Sequence, residues 1–244
     1  MKRRAFLAAS AAVIYQAAGR PVGLSLPGSG LPTPPVSDLS VWFDAARIAG
    51  LSDGAAVSRW EDLTGRGRHA IQATGSRQPL FKVNQQNGLP GLLADGVDDF
   101  LQTPAFVRAQ PHAVWFVMRL TDTTPGINTS FLDGRSVNTA RIFSMIGTYP
   151  HLTLFSGGSD FSNNRDAGST VVGYALFEGA SSSLVVNGVT VGGTLGTGAA
   201  SGLSVFGVFG VSSIGYVFEV FCKDGNSTAD RDAGLAYLNN KWQP

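Results

Sequence analysis

The sequence contains a single cysteine, Cys222, among 244 residues. One thiol cannot form a disulfide within the chain. It also cannot supply the several cysteine ligands of a zinc or iron–sulfur site, so sites built on cysteines are excluded. The chain also lacks an excess of charge of either sign, because 18 basic residues stand against 17 acidic ones. Domains that bind nucleic acids usually carry a basic stripe, and we therefore predict no nucleic-acid partner.

The patterns of several enzyme classes are missing too. No Gly-x-Ser-x-Gly motif is present, which argues against a serine hydrolase with a nucleophile elbow. His69, His112 and His151 are scattered along the chain without metal-binding spacing, and we interpret each as structural or solvated. Glycoside hydrolysis requires two cooperating carboxyl groups. The late apolar segment that could carry such a pair offers only Glu219, and no Glu-x-Asp-x-x-Glu pattern exists.

What the sequence does contain is glycine and aromatic residues in a weakly charged chain, with 31 Gly, 15 Phe and 14% charged residues. This composition favours many turns and many strands. No alternation typical of parallel β-α-β units and no internal repeat is seen. We predict an all-β fold with strands at residues 40–44, 69–73, 91–94, 100–103, 112–120, 130–133, 141–147, 151–155, 170–178, 183–187, 189–191, 203–206 and 215–221.

Four local predictions can be made. Asn187-Gly188 between β-branched residues predicts a hairpin, because both residues tolerate the positive φ angles of a type I′ turn. Residues 112–120 are apolar at odd and even positions, so we predict a central strand buried on both faces. Residues 228–242 predict a short C-terminal helix capped by Ser227 or Thr228. A short turn is predicted within 44–51.

The first 37 residues differ from the rest. Residues 1–19 begin with basic side chains and continue with an alanine-rich apolar stretch, which predicts either an export signal or an apolar arm packed against a partner. Arg3, Arg4, Phe6 and Leu7 resemble the twin-arginine export signal. The stretch is too short to remain as a membrane-spanning helix, so membrane contact would be transient. Residues 20–37 are a Pro/Gly/Ser-rich spacer, and residues 38–244 are the predicted domain.

Two blocks of sequence resemble a known family. The first comprises Leu39-Ser40-Val41-Trp42-Phe43-Asp44-Ala45, Trp60-Glu61-Asp62-Leu63-Thr64-Gly65 and Asp95-Gly96-Val97-Asp98-Asp99-Phe100-Leu101; the second comprises Val217-Phe218-Glu219-Val220-Phe221 and Tyr237-Leu238-Asn239-Asn240-Lys241-Trp242. They resemble the concanavalin A-like lectin/glucanase superfamily, specifically the laminin-G-like domains of bacterial surface proteins and bacteriophage proteins. The resemblance implies a two-sheet antiparallel jelly-roll sandwich. It does not specify a function, since the superfamily includes lectins, glucanases, adhesins and inert spacers.

Two oxygen-rich segments are the candidate sites. Asp160, Asn163, Asn164 and Asp166 lie in a predicted rim loop at 157–168, where they could contact a ligand. Asp95, Asp98 and Asp99 form an acidic turn. The resemblance implies calcium at such a turn, since laminin-G-like domains often carry one ion on a rim loop, but a polar turn capped by its own side chains is the interpretation that we favour.

Three functions are consistent with these observations. The first is a non-catalytic recognition domain on a phage particle or bacterial surface, with a glycan or surface receptor as partner. The second is a carbohydrate-active enzyme, exported by the twin-arginine route, in which Glu219 would work with an unidentified partner. The third is an architectural tail, fibre or capsid decoration that contacts other virion or surface proteins through residues 1–37. We favour the non-catalytic hypotheses, and a location on a virion or outside the cell.

Overall fold

The computed structural model describes residues 30–121, 128–135, 140–146, 150–163, 169–207 and 214–243. Within these residues the chain is mostly β, with one helix, α1 (Thr228–Trp242), close to its end. The strands are β1 (Val41–Asp44), β2 (Arg59–Trp60), β3 (Ala70–Ile71), β4 (Leu80–Gln86), β5 (Leu89–Asp95), β6 (Leu101–Gln102), β7 (His112–Leu120), β8 (Asn128–Asp133), β9 (Arg141–Ile146), β10 (Pro150–Ser156), β11 (Ser159–Asn163), β12 (Val171–Phe177), β13 (Ser182–Val186), β14 (Val189–Gly193), β15 (Ser204–Val205) and β16 (Ile214–Asp224).

The strands form two antiparallel eight-stranded sheets, which confirms the predicted all-β sandwich. The first sheet has the order β14-β13-β12-β7-β16-β5-β4, and β1 pairs with the same edge of β16 as β5 does. The second sheet has the order β11-β10-β9-β8-β15-β6-β3-β2. All strand pairs that the described residues form in the two sheets are antiparallel.

The space between the sheets is the main core. Phe43 from β1 and Trp60 from β2 stack there with their ring centres 5.4 Å apart, which joins the two sheets near one edge of the sandwich. Both aromatic residues belong to the block that carries the family resemblance. Their burial explains why large apolar side chains stand at these positions.

The opposite face of the first sheet is also buried, because α1 and residues 31–39 cover it. Trp115, Tyr174 and Phe221 from three neighbouring strands form this second apolar layer together with Leu238 and Trp242 of the helix. The first sheet is therefore covered on both sides. This arrangement agrees with the prediction that β7 is a central strand buried on both faces, since it lies between β12 and β16.

Gly234 allows the helix to come close to the sheet. A Cβ atom at this position would lie 2.4 Å from Nε1 of Trp115, well inside van der Waals contact. The indole of Trp115 donates a hydrogen bond to the carbonyl of Arg231 one turn earlier. A glycine that weakens the helix in isolation is thus required by packing.

The local predictions are confirmed. Asn187 and Gly188 have φ angles of 46° and 81° and join β13 to β14. Ser227 caps α1 by accepting a hydrogen bond from the amide of Asp230. The predicted turn at 44–51 contains a short 3₁₀ segment, Ala45–Arg47.

Three strands were not predicted. β2 has only two residues, too few for a pattern. β11 is a polar strand at a sheet edge, and β4, at an edge of the other sheet, begins with Leu80-Phe81 but ends with Asn84-Gln85-Gln86. Edge strands can be polar on both faces, so alternation fails there. The interpretation of 157–168 as a loop is therefore wrong for Ser159–Asn163, which pairs with β10.

Part of the predicted spacer contacts the predicted domain. Val36 is buried in the layer between the first sheet and α1, and Leu31 packs against it. The carbonyl of Pro32 accepts hydrogen bonds from the hydroxyl of Tyr237 and from the guanidinium of Arg47. Residues 31–37, assigned to the spacer from their composition, are thus packed onto the domain. The remainder of the predicted arm and spacer, residues 1–29, lies outside the described residues.

Candidate functional site

Glu219, the acidic residue considered for catalysis, lies in β16 immediately after a bulge at Phe218. The bulge places both Phe218 and Glu219 on the side of the sheet that faces α1. The carboxylate accepts four hydrogen bonds there: Oε1 from the Trp42 indole and the Tyr237 hydroxyl, both at 2.8 Å, and Oε2 from the Lys241 ammonium and the Trp242 indole, both at 2.7 Å. Glu219 is fully buried.

Lys241 connects this carboxylate to a second one. Its ammonium lies 2.6 Å from Asp44 and 2.7 Å from Glu219, and all three side chains are almost inaccessible to solvent. Asp44 is also paired with Arg47 at 3.1 Å. We call Asp44, Glu219, Tyr237 and Lys241, with the indoles of Trp42 and Trp242, the Glu219 cluster.

Burial and neighbouring charges shift the pKa values of Glu219 and Tyr237 in the Glu219 cluster. Burial, followed by the nearby charge of Asp44, raises the pKa of Glu219 above its ordinary value. Burial and the same two carboxylates raise the pKa of Tyr237 as well, so that its hydroxyl remains a donor. With every lone-pair direction of Glu219 taken by a protein donor, this carboxylate has no position left for a substrate. The cluster ties β1, β16 and α1 together.

Asp62, in the first block of the family resemblance, is occupied in a similar way. Its carboxylate accepts hydrogen bonds from the backbone amides of Trp42, Thr64 and Arg68 and from the Thr64 hydroxyl. These contacts hold the turn after β2 against β1. Asp62 and Glu219 accept more hydrogen bonds than the other acidic residues of the family-like blocks. We therefore assign a structural role to both.

The three aspartates predicted as a possible calcium site do lie together. One carboxylate oxygen from each of Asp95, Asp98 and Asp99 falls within 4.8 Å of the others. Protein groups already contact all three: Asp95 accepts the amide of Val97, Asp99 accepts the amide of Asp95, and Asp98 is paired with Arg77 at 3.0 Å. Burial raises the pKa of Asp99. The geometry fits the capped polar turn that we favour, and the calcium site implied by the resemblance stays untested.

Of the four residues predicted to contact a ligand, the structure describes Asp160 and Asn163, and both lie in strand β11. Asp160 is exposed on β11, whereas Asn163 is buried and its amide donates to the carbonyls of Leu184 and Val189 at 3.3 and 2.8 Å. Asn163 therefore joins β11 to the β13–β14 hairpin and is not displayed. Asn164 and Asp166 lie outside the described residues, as do the export-signal residues Arg3, Arg4, Phe6 and Leu7. Within the described segments, no helix is long and apolar enough to cross a membrane.

Asp133 is an unusual carboxyl that sequence reasoning missed. It ends β8 on the outer face of the second sheet, since its neighbour Leu132 points into the core. Only 1% of the residue is exposed, and burial raises its pKa to about 7. The Arg141 guanidinium lies 3.1 Å away on β9 and opposes this rise. Phe131 and Leu132 are consecutive and both lie in the core because of a bulge, so alternation in the sequence predicts neither the direction nor the burial of the Asp133 side chain.

A cavity of about 370 Å³ opens at the edge of the sandwich where β1 and β2 belong to different sheets. We call it the edge cavity. Apolar side chains from the segment after the 3₁₀ turn and from the turn after β2 line much of it, and charged groups stand at its rim. The residues that line it include Ile48, Leu51, Leu63, Ser58, Arg59 and Trp60. A second cavity, of about 400 Å³, lies between residues 33–39 and 64–66.

No family model matches the sequence, and no curated protein matches it. Solved structures do match. Domain 4 of a GH43 extracellular arabinanase from Geobacillus stearothermophilus, solved in complex with arabinotriose, superimposes with a TM-score of 0.57 at 14% identity; the match covers 82% of this chain and 98% of that one. The likeness is one of fold.

Two further matches have the same character. A sialidase from Trypanosoma rangeli in complex with sialic acid gives a TM-score of 0.54 at 13% identity over 86% of this chain, and the chain spans about a third of the sialidase. The binding domain of Paraclostridial Mosquitocidal Protein 1 gives a TM-score of 0.53 at 11% identity, covering 83% of this chain and 52% of that one. The regions that these matches cover agree with the two-sheet jelly-roll architecture of this chain.

Proposed function

We propose that this chain is a non-catalytic glycan-recognition module displayed on a phage particle or a bacterial surface. The observation that carries the proposal is the state of Glu219. The carboxylate on which a hydrolase hypothesis would rest accepts four hydrogen bonds from protein groups and is fully buried. The chain thus shares its fold with a domain solved with arabinotriose, while Glu219 in β16 holds elements of the fold together.

A carbohydrate-active enzyme is the competing function, and Asp133 is the observation that favours it. A buried carboxyl with a pKa of about 7 has the protonation behaviour of a general acid. Such an acid needs a second carboxylate about 5–10 Å away. Across the described strands of the second sheet, Arg141 pairs with Phe155 and Phe155 pairs with Asp160, so Asp160 is the next carboxylate reached from Asp133 in this direction. Three strand spacings of about 4.8 Å place it roughly 14 Å away, which is too far.

One panel experiment tests both functions. The full chain is incubated with arabinotriose, cellotriose, maltotriose, lactose and 3′-sialyllactose, and with the corresponding polysaccharides. Binding is followed by calorimetry and hydrolysis by the release of reducing sugar. We expect saturable binding of at least one glycan without hydrolysis. Catalysis that Asp133→Asn abolishes would reverse the preference, and the absence of any binding would refute glycan recognition.

The proposed location rests on the composition of residues 1–37, with a basic, apolar beginning and a proline-rich continuation. N-terminal sequencing of native material tests it. Cleavage near Gly19 would support export to a surface, whereas an intact terminus that crosslinks to other subunits would support display on a particle. An intact terminus without such neighbours would contradict both.

A further inference from the structure

The edge cavity is an open groove with apolar side chains on its surface. Leu51 is 36% exposed, and Ala49 and Ala56 are exposed as well, whereas Ile48 and Leu63 are half-buried. Exposed apolar side chains that lie next to one another around a cavity indicate a surface against which another segment of chain can pack.

The charges around the cavity indicate that its occupant is uncharged. Four charged side chains among the described residues line it, and each of them already has a counter-charge. Arg47 pairs with Asp44 at 3.1 Å, and Arg59 pairs with Glu61 at 2.6 Å. A charged occupant would compete with these ion pairs, and an uncharged one leaves them in place.

The path of the chain leads to this cavity. The Arg47 guanidinium, at the cavity, donates hydrogen bonds of 2.8 and 2.9 Å to the carbonyls of Leu31 and Pro32. The same guanidinium is paired with Asp44, the last residue of β1. Residues 32–40 therefore run back from the end of β1 to its beginning. The chain that precedes Leu31 consequently enters the domain at Arg47, beside the cavity.

The sequence just before this point has the pattern of an apolar strand. Residues 21–37 contain no charged side chain. Within them, Pro21-Val22-Gly23-Leu24-Ser25-Leu26-Pro27 is bounded by prolines, which favour an extended chain. Val22, Leu24 and Leu26 would then lie on one face, because side chains alternate along an extended chain. At about 3.4 Å per residue, the end of this segment lies within roughly 17 Å of Leu31.

From these observations we infer that residues 22–26 of this same chain pack into the edge cavity, with the apolar face of the segment against Ile48 and Leu51. The uncharged segment leaves the ion pairs of the cavity intact, and its backbone amides and carbonyls suit polar lining groups such as Ser58. The segment remains in the chain whether residues 1–19 are cleaved as an export signal or retained. The contact closes the edge at which β1 and β2 belong to different sheets, and it does not depend on glycan recognition.

Protection of a thiol placed in the cavity tests the contact in the full chain. Ala49→Cys introduces a small, exposed thiol into the lining. The native Cys222 is fully buried, and burial raises its pKa to about 11, so it does not compete for an alkylating reagent. We expect iodoacetamide to label Ala49→Cys about tenfold faster once Leu24→Ser and Leu26→Ser remove the apolar face of the segment.

A surface thiol is the control for this comparison. Val107 is 72% exposed and does not line the cavity, so Val107→Cys should be labelled at the same rate with either form of the segment. If the two serine substitutions leave the labelling of Ala49→Cys unchanged as well, residues 22–26 do not cover the cavity and the inference is overturned.

A disulfide between segment and cavity identifies which face of the segment is in contact. Ala49→Cys is combined with Leu24→Cys in one full chain and with Ser25→Cys in another, so that the two chains differ by one position along the segment. Because neighbouring side chains of an extended segment point in opposite directions, we expect the Leu24→Cys chain to oxidise to an intramolecular disulfide several-fold faster.

The remaining outcomes contradict the inference in different ways. Equal rates for Leu24→Cys and Ser25→Cys would show that the tether merely brings both thiols within reach, without a packed face. Disulfides that join two chains, and that form faster as the protein concentration rises, would show that a second copy supplies the segment. That result would overturn the assignment of the cavity to the chain's own residues 22–26.

Discussion

Replacing Lys241 with methionine removes the cation that, among the described residues, directly contacts both carboxylates of the Glu219 cluster. Lys241 lies 2.6 Å from Asp44 and 2.7 Å from Glu219, and the methionine would keep most of the apolar volume of its stem. Two buried carboxylates would then face each other, and the Arg47 guanidinium beside Asp44 would be the cation that remains next to them in the described part of the chain.

The expected cost is large. Breaking a buried ion pair by removing one partner destabilises a protein by about 3–5 kcal/mol, because a charge is left buried without compensation. Folded domains are stable by about 5–15 kcal/mol in total. For a domain of this size each kcal/mol shifts Tm by about 2–4 °C, so Tm should fall by roughly 6–20 °C.

The pH dependence supplies a second signature. The pKa of Glu219 is raised in the folded chain, so its contribution to stability is present at low pH and is lost as pH rises through the raised value. Removal of Lys241 takes away a positive charge and raises this pKa further. The defect of Lys241→Met should therefore be smaller at pH 5 than at pH 8, where both carboxylates must be ionised.

Urea unfolding of the full chain at pH 5 and pH 8, followed by circular dichroism, measures both effects. Lys223→Met is the matched control: Lys223 pairs with Asp230 at 2.6 Å, also between β16 and α1, but both side chains are about a fifth exposed. We expect this pair to contribute less than about 1 kcal/mol. Equal losses in the two variants, or a Lys241→Met defect that grows toward acid pH, would refute the electrostatic account of the cluster.

Three further predictions follow from other parts of the chain. Gly234→Ala should destabilise the fold by about 1–3 kcal/mol despite the better helix propensity of alanine, because the added Cβ would lie 2.4 Å from Nε1 of Trp115. Ala236→Gly, at an exposed position of the same helix, measures the propensity effect alone. A Gly234→Ala variant more stable than the original chain would contradict the packing argument. The pKa of Asp133 is raised to about 7, so its stabilising contribution is complete near pH 4 and is lost as pH rises through 7. In urea unfolding from pH 5 to 8, the free energy of unfolding should decline, and Asp133→Asn should reduce this decline. Parallel curves for the two chains would contradict the assignment to Asp133. Calorimetric titration with Ca²⁺ should show no saturable binding, because Asp95, Asp98 and Asp99 already accept protein donors, whereas binding lost in Asp98→Asn would establish a calcium site.

Much of the fold could be predicted from sequence because its signals are local. The hairpin at Asn187-Gly188 depends on two residues that tolerate positive φ, and the cap of α1 depends on the hydroxyl of Ser227 and an amide three residues later. The burial of β7 on both faces is visible in its uninterrupted apolar residues. β11 was missed because a polar edge strand lacks the alternation that reveals strands elsewhere, and β4 was missed because its apolar start, Leu80-Phe81, runs into the polar residues 84–86.

The sequence by itself determined the all-β class, the main strands and the C-terminal helix, since these depend on side-chain periodicity and turn chemistry within short segments. Only the tertiary structure decided what Glu219 does. Its donors come from positions 42, 237, 241 and 242, and the Trp42 contact spans 177 residues of chain. A bulge at Phe218 turns the carboxylate toward them. The edge cavity likewise exists only where β1 and β2 of different sheets meet, because long-range packing, and no local pattern, creates that space.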